Sequence, residues 1–174
     1  MQRIELEGKK YWRSDEKGKW ADERNFVVDS DLQKKLNAAY ELSLNPEKMD
    51  VLRLKSIADG FRKNGSNVLA VQYYQLAMKK ATLFQRSFLL PCLAACYRAQ
   101  GRPQDVIDLT VVSKQKYGEK VLSSALITVC GAAYCDLKDY DRAEKCCDRA
   151  YAMKGGTASE ELKAVYARIR KETK

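Results

Sequence analysis

The feature that most constrains the fold of this 174-residue chain is an internal repeat. Three segments share a small residue that is followed three positions later by an aromatic one. The pairs are Ala58 and Phe61, Ala94 and Tyr97, and Gly131 and Tyr134. A second set of positions, residues 70, 106 and 143, has the same spacing, so that both sets advance by 36 and then by 37 positions. Two landmarks with one period indicate a stack of repeated units.

Each unit predicts a pair of helices. Apolar residues recur at helical spacing in both halves of the unit. Gly65 and Gly101 follow the aromatic residues by four positions, where a helix commonly ends in a left-handed cap, and Lys138 takes that place in the third unit. We therefore expect helical hairpins at about residues 51–86, 87–123 and 124–157.

The order small, aromatic, small, aromatic, small within a unit resembles the tetratricopeptide repeat (TPR). In the first unit these positions hold Ala58, Phe61, Ala70, Tyr74 and Ala77. The third unit matches with Gly131, Tyr134, Ala143 and Ala150 but has Cys147 for the second aromatic residue. The middle unit departs further, with Val106, Thr110 and Ser113.

The resemblance covers about residues 51–157 and implies a mainly α, tetratricopeptide-like helical-hairpin solenoid. All three units lack the proline that usually follows the second helix. The period is also longer than the roughly 34 residues that are commonest in the family. We therefore expect slightly longer connections between the units.

The segments that flank the repeats differ from each other. Residues 1–28 mix aromatic and β-branched residues with charges, and Ile4 to Glu7 alternate as in a half-buried strand. A turn at residues 14–18 then predicts a β-hairpin, with strands near 3–13 and 19–28, or an extended arm. Residues 29–174 form the predicted helical stack, in which 31–46 make an orphan helix and 158–172 a capping helix.

Two tryptophans suggest a role for the N-terminal arm. We expect Trp12 and Trp20 to be exposed aromatics. A lone two-stranded hairpin is marginal in water, so we expect it to pack its aromatic face on the helices that follow. The exposed aromatics suggest in addition that the arm folds into the groove or pairs its strand edge with a second copy, which gives a homodimer.

The composition excludes several classes of activity. The chain has no histidine, so Ser-His-Asp and Cys-His catalysis and histidine-ligated metals cannot be built. Gly155-Gly156 is typical of a turn rather than a phosphate-binding loop. The six cysteines contain no Cys-x-x-Cys pair and are interpreted as structural thiols, with a redox role as the alternative. We expect no enzymatic activity, metal or cofactor.

The sequence also favours a cytoplasmic location. No run of 18 apolar residues is present, and the first residues lack the apolar core of a signal peptide.

The resemblance further implies that the first helix of each unit lines a concave groove that holds a peptide. The candidate groove residues carried over on this basis are Leu52, Lys55, Asp59, Arg62, Lys63, Phe88, Arg98, Thr128 and Cys135. Some family members grip a C-terminal carboxylate with a Lys and Asn clamp. Lys55 fits that clamp, but Asp59 and Cys92 stand where asparagines are needed, so we do not predict it.

Charge suggests the kind of partner. The net charge is +9, and residues 49–86 contain seven basic and two acidic residues. A groove that is basic at one end and apolar beyond it favours an acidic peptide with a hydrophobic anchor. Two alternatives remain at this point: Lys79, Lys80 and Arg86 form a solvated face, or the basic first repeat binds RNA or DNA, as in the related pentatricopeptide repeats.

Overall fold

The computed structural model describes residues 2–13, 18–43, 46 and 49–173, with the side chains of 41–43 excepted. Three short strands come first: β1 (Gln2–Leu6), β2 (Lys9–Arg13) and β3 (Trp20–Ala21). The helices that follow are α1 (Ser30–Ser43), α2 (Val51–Lys63), α3 (Asn67–Lys80), α4 (Leu83–Ala99), α5 (Pro103–Tyr117), α6 (Ser124–Asp136), α7 (Tyr140–Met153) and α8 (Glu160–Glu172). The predicted mainly α stack of helical hairpins is confirmed.

The repeat corresponds to three hairpins: the first is α2 and α3, the second α4 and α5, and the third α6 and α7. The small repeat residues Ala58, Ala70, Ala94 and Ala143 are fully buried. Side chains of this size let the two helices of a hairpin approach closely. The apolar core therefore runs along the axis of the stack.

The turn within each hairpin has the same geometry. Gly65, Gly101 and Lys138 all have positive φ, at 75°, 70° and 61°. The amide of the next residue then donates to the carbonyl of the repeat aromatic, at 2.9 Å for Ser66 to Phe61, 3.0 Å for Arg102 to Tyr97 and 2.9 Å for Asp139 to Tyr134. This bond satisfies a carbonyl that the helix end would otherwise leave unpaired. Lys138 thus adopts the conformation that glycine adopts in the other two hairpins.

The extra length of the repeat is distributed unevenly. Between the first two hairpins the connection is only Ala81 and Thr82, so the predicted longer connection is wrong there. Instead α4 begins early, because the Thr82 hydroxyl accepts from the Gln85 amide while the Gln85 side chain accepts from the Thr82 amide. Between the second and third hairpins a 3₁₀ helix, Glu119–Val121, does lengthen the connection.

The N-terminal segment forms a three-stranded antiparallel sheet in the order β1-β2-β3. Its first hairpin runs from Gln2 opposite Arg13 to Leu6 opposite Lys9. The turn at Glu7 and Gly8 has positive φ at both positions, which suits a two-residue hairpin loop. The predicted single strand over 3–13 is therefore two strands. Residues 14–17 of the predicted turn lie outside the described residues.

Trp20 fastens this sheet to α1. Its side chain is fully buried beside Tyr11 and Leu36. The indole N–H donates to Asn37 Oδ1 at 2.7 Å, and the Trp20 backbone exchanges hydrogen bonds of 2.8 and 2.7 Å with the Gln33 side-chain amide. An indole whose N–H is paired can be buried at little polar cost.

The predicted exposure of Trp20 is therefore wrong. The N-terminal arm packs on α1 of its own chain and not in the groove, whereas Trp12 remains partly exposed. Pairing of two copies through the arm stays a prediction.

Helix α8 covers the other end of the stack. Ser159 accepts from the Leu162 amide at 3.2 Å and begins the helix. Leu162, Val165 and Ile169 are buried in the core that also contains the third hairpin. Among the described helices, none is both long and apolar enough to cross a membrane.

Candidate functional site

A groove lies between α4, α6 and α8 and has a volume of about 860 Å³. Ala95, Val129 and Ala132 supply small apolar side chains, and Arg98, Asp136 and Arg168 supply charged ones. An adjoining pocket of about 390 Å³ shares Ala95, Thr128, Val129 and Glu161 with it and extends toward Arg62 and Pro91. We call these two continuous pockets the α4–α6–α8 groove.

The periodicity of α4 explains its contribution to the lining of the groove. Pro91, Ala95 and Arg98 recur at spacings of four and three residues and so occupy one side of α4. Leu90, Leu93 and Ala94 occupy another side and are buried in the core. Small residues on the groove side leave an open volume where larger side chains would fill it.

Asp136 holds two arginines at the wall of the groove. Arg98 Nε lies 2.6 Å from Asp136 Oδ2, and its Nη2 lies 3.3 Å from Oδ1. Arg168 of α8 donates to the same Oδ1 and, through Nη2, to the Cys135 carbonyl at 3.1 Å. One carboxylate therefore ties α4, α6 and α8 together.

The same contacts set the ionisation of Asp136. Partial burial raises the pKa of this carboxyl, but hydrogen bonds from Arg98 and Arg168 outweigh burial and hold the pKa below its ordinary value of 3.8. The Arg98 and Arg168 side chains remain 39% and 40% exposed. At neutral pH the cluster is two guanidinium groups on one carboxylate, with N–H groups left for a further acceptor.

Sequence reasoning selected Arg98 but missed Asp136 and Arg168. A signal for Arg168 was present, because on a helix it lies next to the apolar stripe that contains Val165 and Ile169. Asp136 had no comparable signal, since its role depends on arginines from two other helices.

The other predicted residues of the second and third hairpins are placed differently. Thr128 lines the groove, although it is only 5% exposed and its hydroxyl donates to the Ser124 carbonyl at 2.9 Å. The Cys135 side chain is fully buried, so this residue contributes its carbonyl to Arg168 and no thiol to the groove. Phe88 is half-buried, with its ring 5.8 Å from that of Phe84.

In the first hairpin, Lys55 and Asp59 neutralise each other. The Lys55 ammonium lies 2.5 Å from Asp59 Oδ2, and the Tyr74 hydroxyl donates to Oδ1 at 2.5 Å. Burial raises the pKa of Asp59, but these two hydrogen bonds outweigh it and lower the pKa. Burial, together with the hydrogen bond to Asp59, raises the pKa of Tyr74. Arg62, 3.9 Å from Oδ1, reaches the extended end of the groove.

Leu52 and Lys63 line neither of the two pockets that make up the groove. Leu52 is 62% exposed at the start of α2. Lys63 lines a separate pocket of about 430 Å³ between α1 and α2, together with Asn37 and Ser56. The structure thus brings Arg62, Arg98 and Thr128 to the groove.

Two of the basic residues of the first repeat have internal contacts. The Arg86 guanidinium is centred 4.3 Å from the Tyr117 ring and donates to the Met78 carbonyl at 3.1 Å. Lys80 donates to the Met49 carbonyl at 2.9 Å. Part of the positive charge at 49–86 therefore has a structural role, while Lys79 is exposed.

Comparison with known proteins gives a likeness of fold. No protein-family model and no curated protein sequence matches the chain. Among solved structures, the TPR domain of Sgt2 from Aspergillus fumigatus is similar, with a TM-score of 0.58 and 21% identity over 71% of this chain and 78% of that one. This chain therefore has the fold of a tetratricopeptide-repeat domain.

Proposed function

We propose that this chain is a non-enzymatic interaction module that binds an extended peptide segment of a partner protein in the α4–α6–α8 groove. One observation carries the proposal: a lining of small apolar side chains is bordered by two arginines that a single aspartate holds in place. Such a surface offers both an apolar contact and a fixed charge to a bound chain.

The arrangement selects for an acidic residue beside small apolar ones. The N–H groups that Arg98 and Arg168 do not use on Asp136 or Cys135 are available to a carboxylate. Ala95 and Ala132 then leave room for apolar side chains next to that carboxylate. Because the guanidinium groups are already ordered, less side-chain entropy is lost on binding.

A direct test is selection from a phage-displayed library of random peptides of about 12 residues, long enough to span the groove in extended form. The groove is blocked in one variant, Ala164→Trp, since Ala164 lines it from an exposed position on α8. Ala152→Trp, at an exposed position of α7 outside the groove, is the matched control. We expect selected peptides to bind the wild type and the control but not Ala164→Trp.

The charge requirement is tested with synthetic copies of the selected peptides. Arg98→Gln should weaken their binding by about tenfold or more, since a hydrogen bond between charged groups contributes about 1.5–3 kcal/mol. Arg170→Gln, on an exposed residue of α8 that does not line the groove, should leave affinity unchanged. Circular dichroism of each variant verifies folding.

Two results would overturn the proposal. Equal binding by Ala164→Trp and the wild type would place any peptide site elsewhere. Retention of the chain on polyuridylate at low salt, with no peptide enriched, would favour the nucleic-acid alternative.

A further inference from the structure

The crossing of α6 and α7 brings two cysteines together. Gly131 allows a close approach, because a Cβ added there would lie 3.3 Å from the Cys146 Cβ and 3.4 Å from the Cys147 sulfur. One residue earlier on α6, Cys130 lies at the same crossing, and Cys130 and Cys146 shift each other's pKa. At this crossing the Cβ separation between the two helices, 3.3 Å from position 131 to Cys146, is close to the roughly 3.5–4.5 Å that a disulfide spans.

The pair opens into a pocket of its own. Both cysteines line a cavity of about 270 Å³ between α5, α6 and α7, together with Thr110, Lys145 and Arg149. Cys130 is 5% exposed, whereas Cys146 is partly exposed. A small oxidant therefore reaches Cys146 first. Neither cysteine lines the α4–α6–α8 groove.

The surroundings give the two thiols different chemistry. The hydrogen bond from Cys130 lowers the pKa of Cys146; burial opposes this effect, the positive charge of Arg149 adds to it, and Asp139 acts against it. The same hydrogen bond, with burial, raises the pKa of Cys130. Since the thiolate is the nucleophile, Cys146 is the thiol that attacks and Cys130 the one that resolves.

We propose that Cys146 and Cys130 form a peroxide-sensitive thiol pair that closes to a disulfide across the third hairpin. The Cys146 thiolate attacks hydrogen peroxide, forms an S–O bond and releases hydroxide, which leaves a sulfenic acid. The Cys130 sulfur then attacks the Cys146 sulfur, and the S–O bond breaks. The hydroxyl leaves with the Cys130 proton as water. The peroxide is reduced by two electrons, which the two sulfurs supply.

Other cysteines of the chain are less suited to this reaction. Burial raises the pKa of Cys96 to about 11 and that of Cys147 to about 12, so both stay protonated. Cys92 is the other partly exposed cysteine, and its thiol lies 3.5 Å from the Phe88 carbonyl. Cys92 therefore serves as an internal reference for accessibility.

The test treats the full chain with a small excess of hydrogen peroxide, blocks the remaining thiols and maps tryptic peptides without reduction. We expect residues 121–138 to be joined to 146–149, with a mass loss of about 2 Da for the two hydrogens removed. Fragment sequencing of the joined peptides assigns the link to Cys130 and Cys146. Cys146→Ala and Cys130→Ala should abolish the link, while Cys147→Ala and Cys135→Ala keep it.

Three results would overturn the proposal. A link that maps to Cys135 or Cys147 would show that the wrong thiols were paired. Conversion of Cys146 to sulfinic acid without a link would remove Cys130 as the resolving thiol. Oxidation of Cys92 before Cys146 would show that Cys146 has no special reactivity. Because fragment sequencing uses the unsubstituted protein, the outcome does not depend on whether a variant folds.

Discussion

The first and third hairpins fill the same repeat positions in two different ways. The first has the fully buried residues Ala58 and Tyr74 at these positions, in one core cluster, while the third places Cys147 against Gly131. A large residue in one helix is thus paired with alanine in the other, and a small one with glycine. The repeat therefore constrains the volume shared by two facing positions more tightly than it constrains either residue.

Their aspartates differ in a way that bears on binding. Asp59 is satisfied inside its own hairpin by Lys55 and Tyr74. Asp136 is satisfied by arginines from α4 and α8. The first arrangement neutralises charge locally, whereas the second joins three helices and presents guanidinium groups to a groove. The expected site of recognition accordingly shifts from the basic first repeat to the third hairpin and α8.

The largest difference between the two hairpins is expected when the side chain at the second aromatic position of the repeat is truncated to alanine. Tyr74→Ala should lower the free energy of unfolding by about 3–5 kcal/mol, as loss of a buried aromatic side chain does. Cys147→Ala should cost about 1 kcal/mol, because it removes a single buried heavy atom. Urea unfolding of both variants measures this difference. Equal losses of unfolding free energy in the two variants would contradict the view that side-chain volume at this repeat position determines the cost of truncation.

The next largest effect is expected when Gly131, the residue at the crossing of α6 and α7, is replaced by a larger one. Gly131→Leu should destabilise the protein by about 1–3 kcal/mol, since the Ala143 carbonyl and the Cys146 Cβ leave no room for a longer side chain. Gly60→Ala is the matched control, because Gly60 is an exposed helical glycine with open space around it. It should stabilise the chain by about 0.5–1 kcal/mol. A neutral Gly131→Leu in thermal unfolding would contradict the close approach.

The left-handed turn residues offer a smaller contrast with opposite signs. Lys138→Gly should stabilise the third hairpin by up to about 1 kcal/mol, because glycine adopts positive φ without strain. Gly65→Ala should destabilise the first hairpin by a similar amount. Chemical denaturation of the two variants and the wild type compares them directly. A loss of stability in Lys138→Gly would mean that contacts of the lysine side chain offset the backbone strain of its positive φ.

The smallest effects concern pH. The pKa values of Asp59 and Asp136 are lowered in the folded protein. Their contribution to stability is therefore present above the ordinary value of 3.8 and is lost as pH falls through the lower folded pKa. Asp59→Asn and Asp136→Asn should each flatten the loss of stability as pH falls from the ordinary value of 3.8 through the lower folded pKa.

Hydrogen exchange at acidic pH assigns each of these losses to its region. Protonation of Asp136 should loosen α8, and protonation of Asp59 should loosen the first hairpin alone. Loosening of both regions in either variant would contradict the local character of the Asp59 network.

The sequence was informative where packing is local. Spacing of small and aromatic residues predicts the hairpins, because both partners of each contact lie within one unit. The early start of α4 was missed, although Thr82 and Gln85 have the spacing of a capping box.

The burial of Trp20 and the formation of the Asp136 cluster depend instead on how helices that are distant in the sequence pack together. Trp20 needs Gln33 and Asn37 of α1, and Asp136 needs Arg98 and Arg168. No local pattern shows which of these residues, distant in the sequence, contact one another, so the contacts emerge only from the three-dimensional structure.

The proposal that the α4–α6–α8 groove is the binding surface is tested most directly by NMR with methyl-labelled alanine. A peptide selected on the wild-type protein is titrated into the full chain. We expect shifts of the methyl signals of Ala95, Ala132 and Ala164, which line the groove, and no shift at Ala152 on the outside of α7. Unchanged groove signals, with shifts at Ala38 in the pocket between α1 and α2, would contradict it.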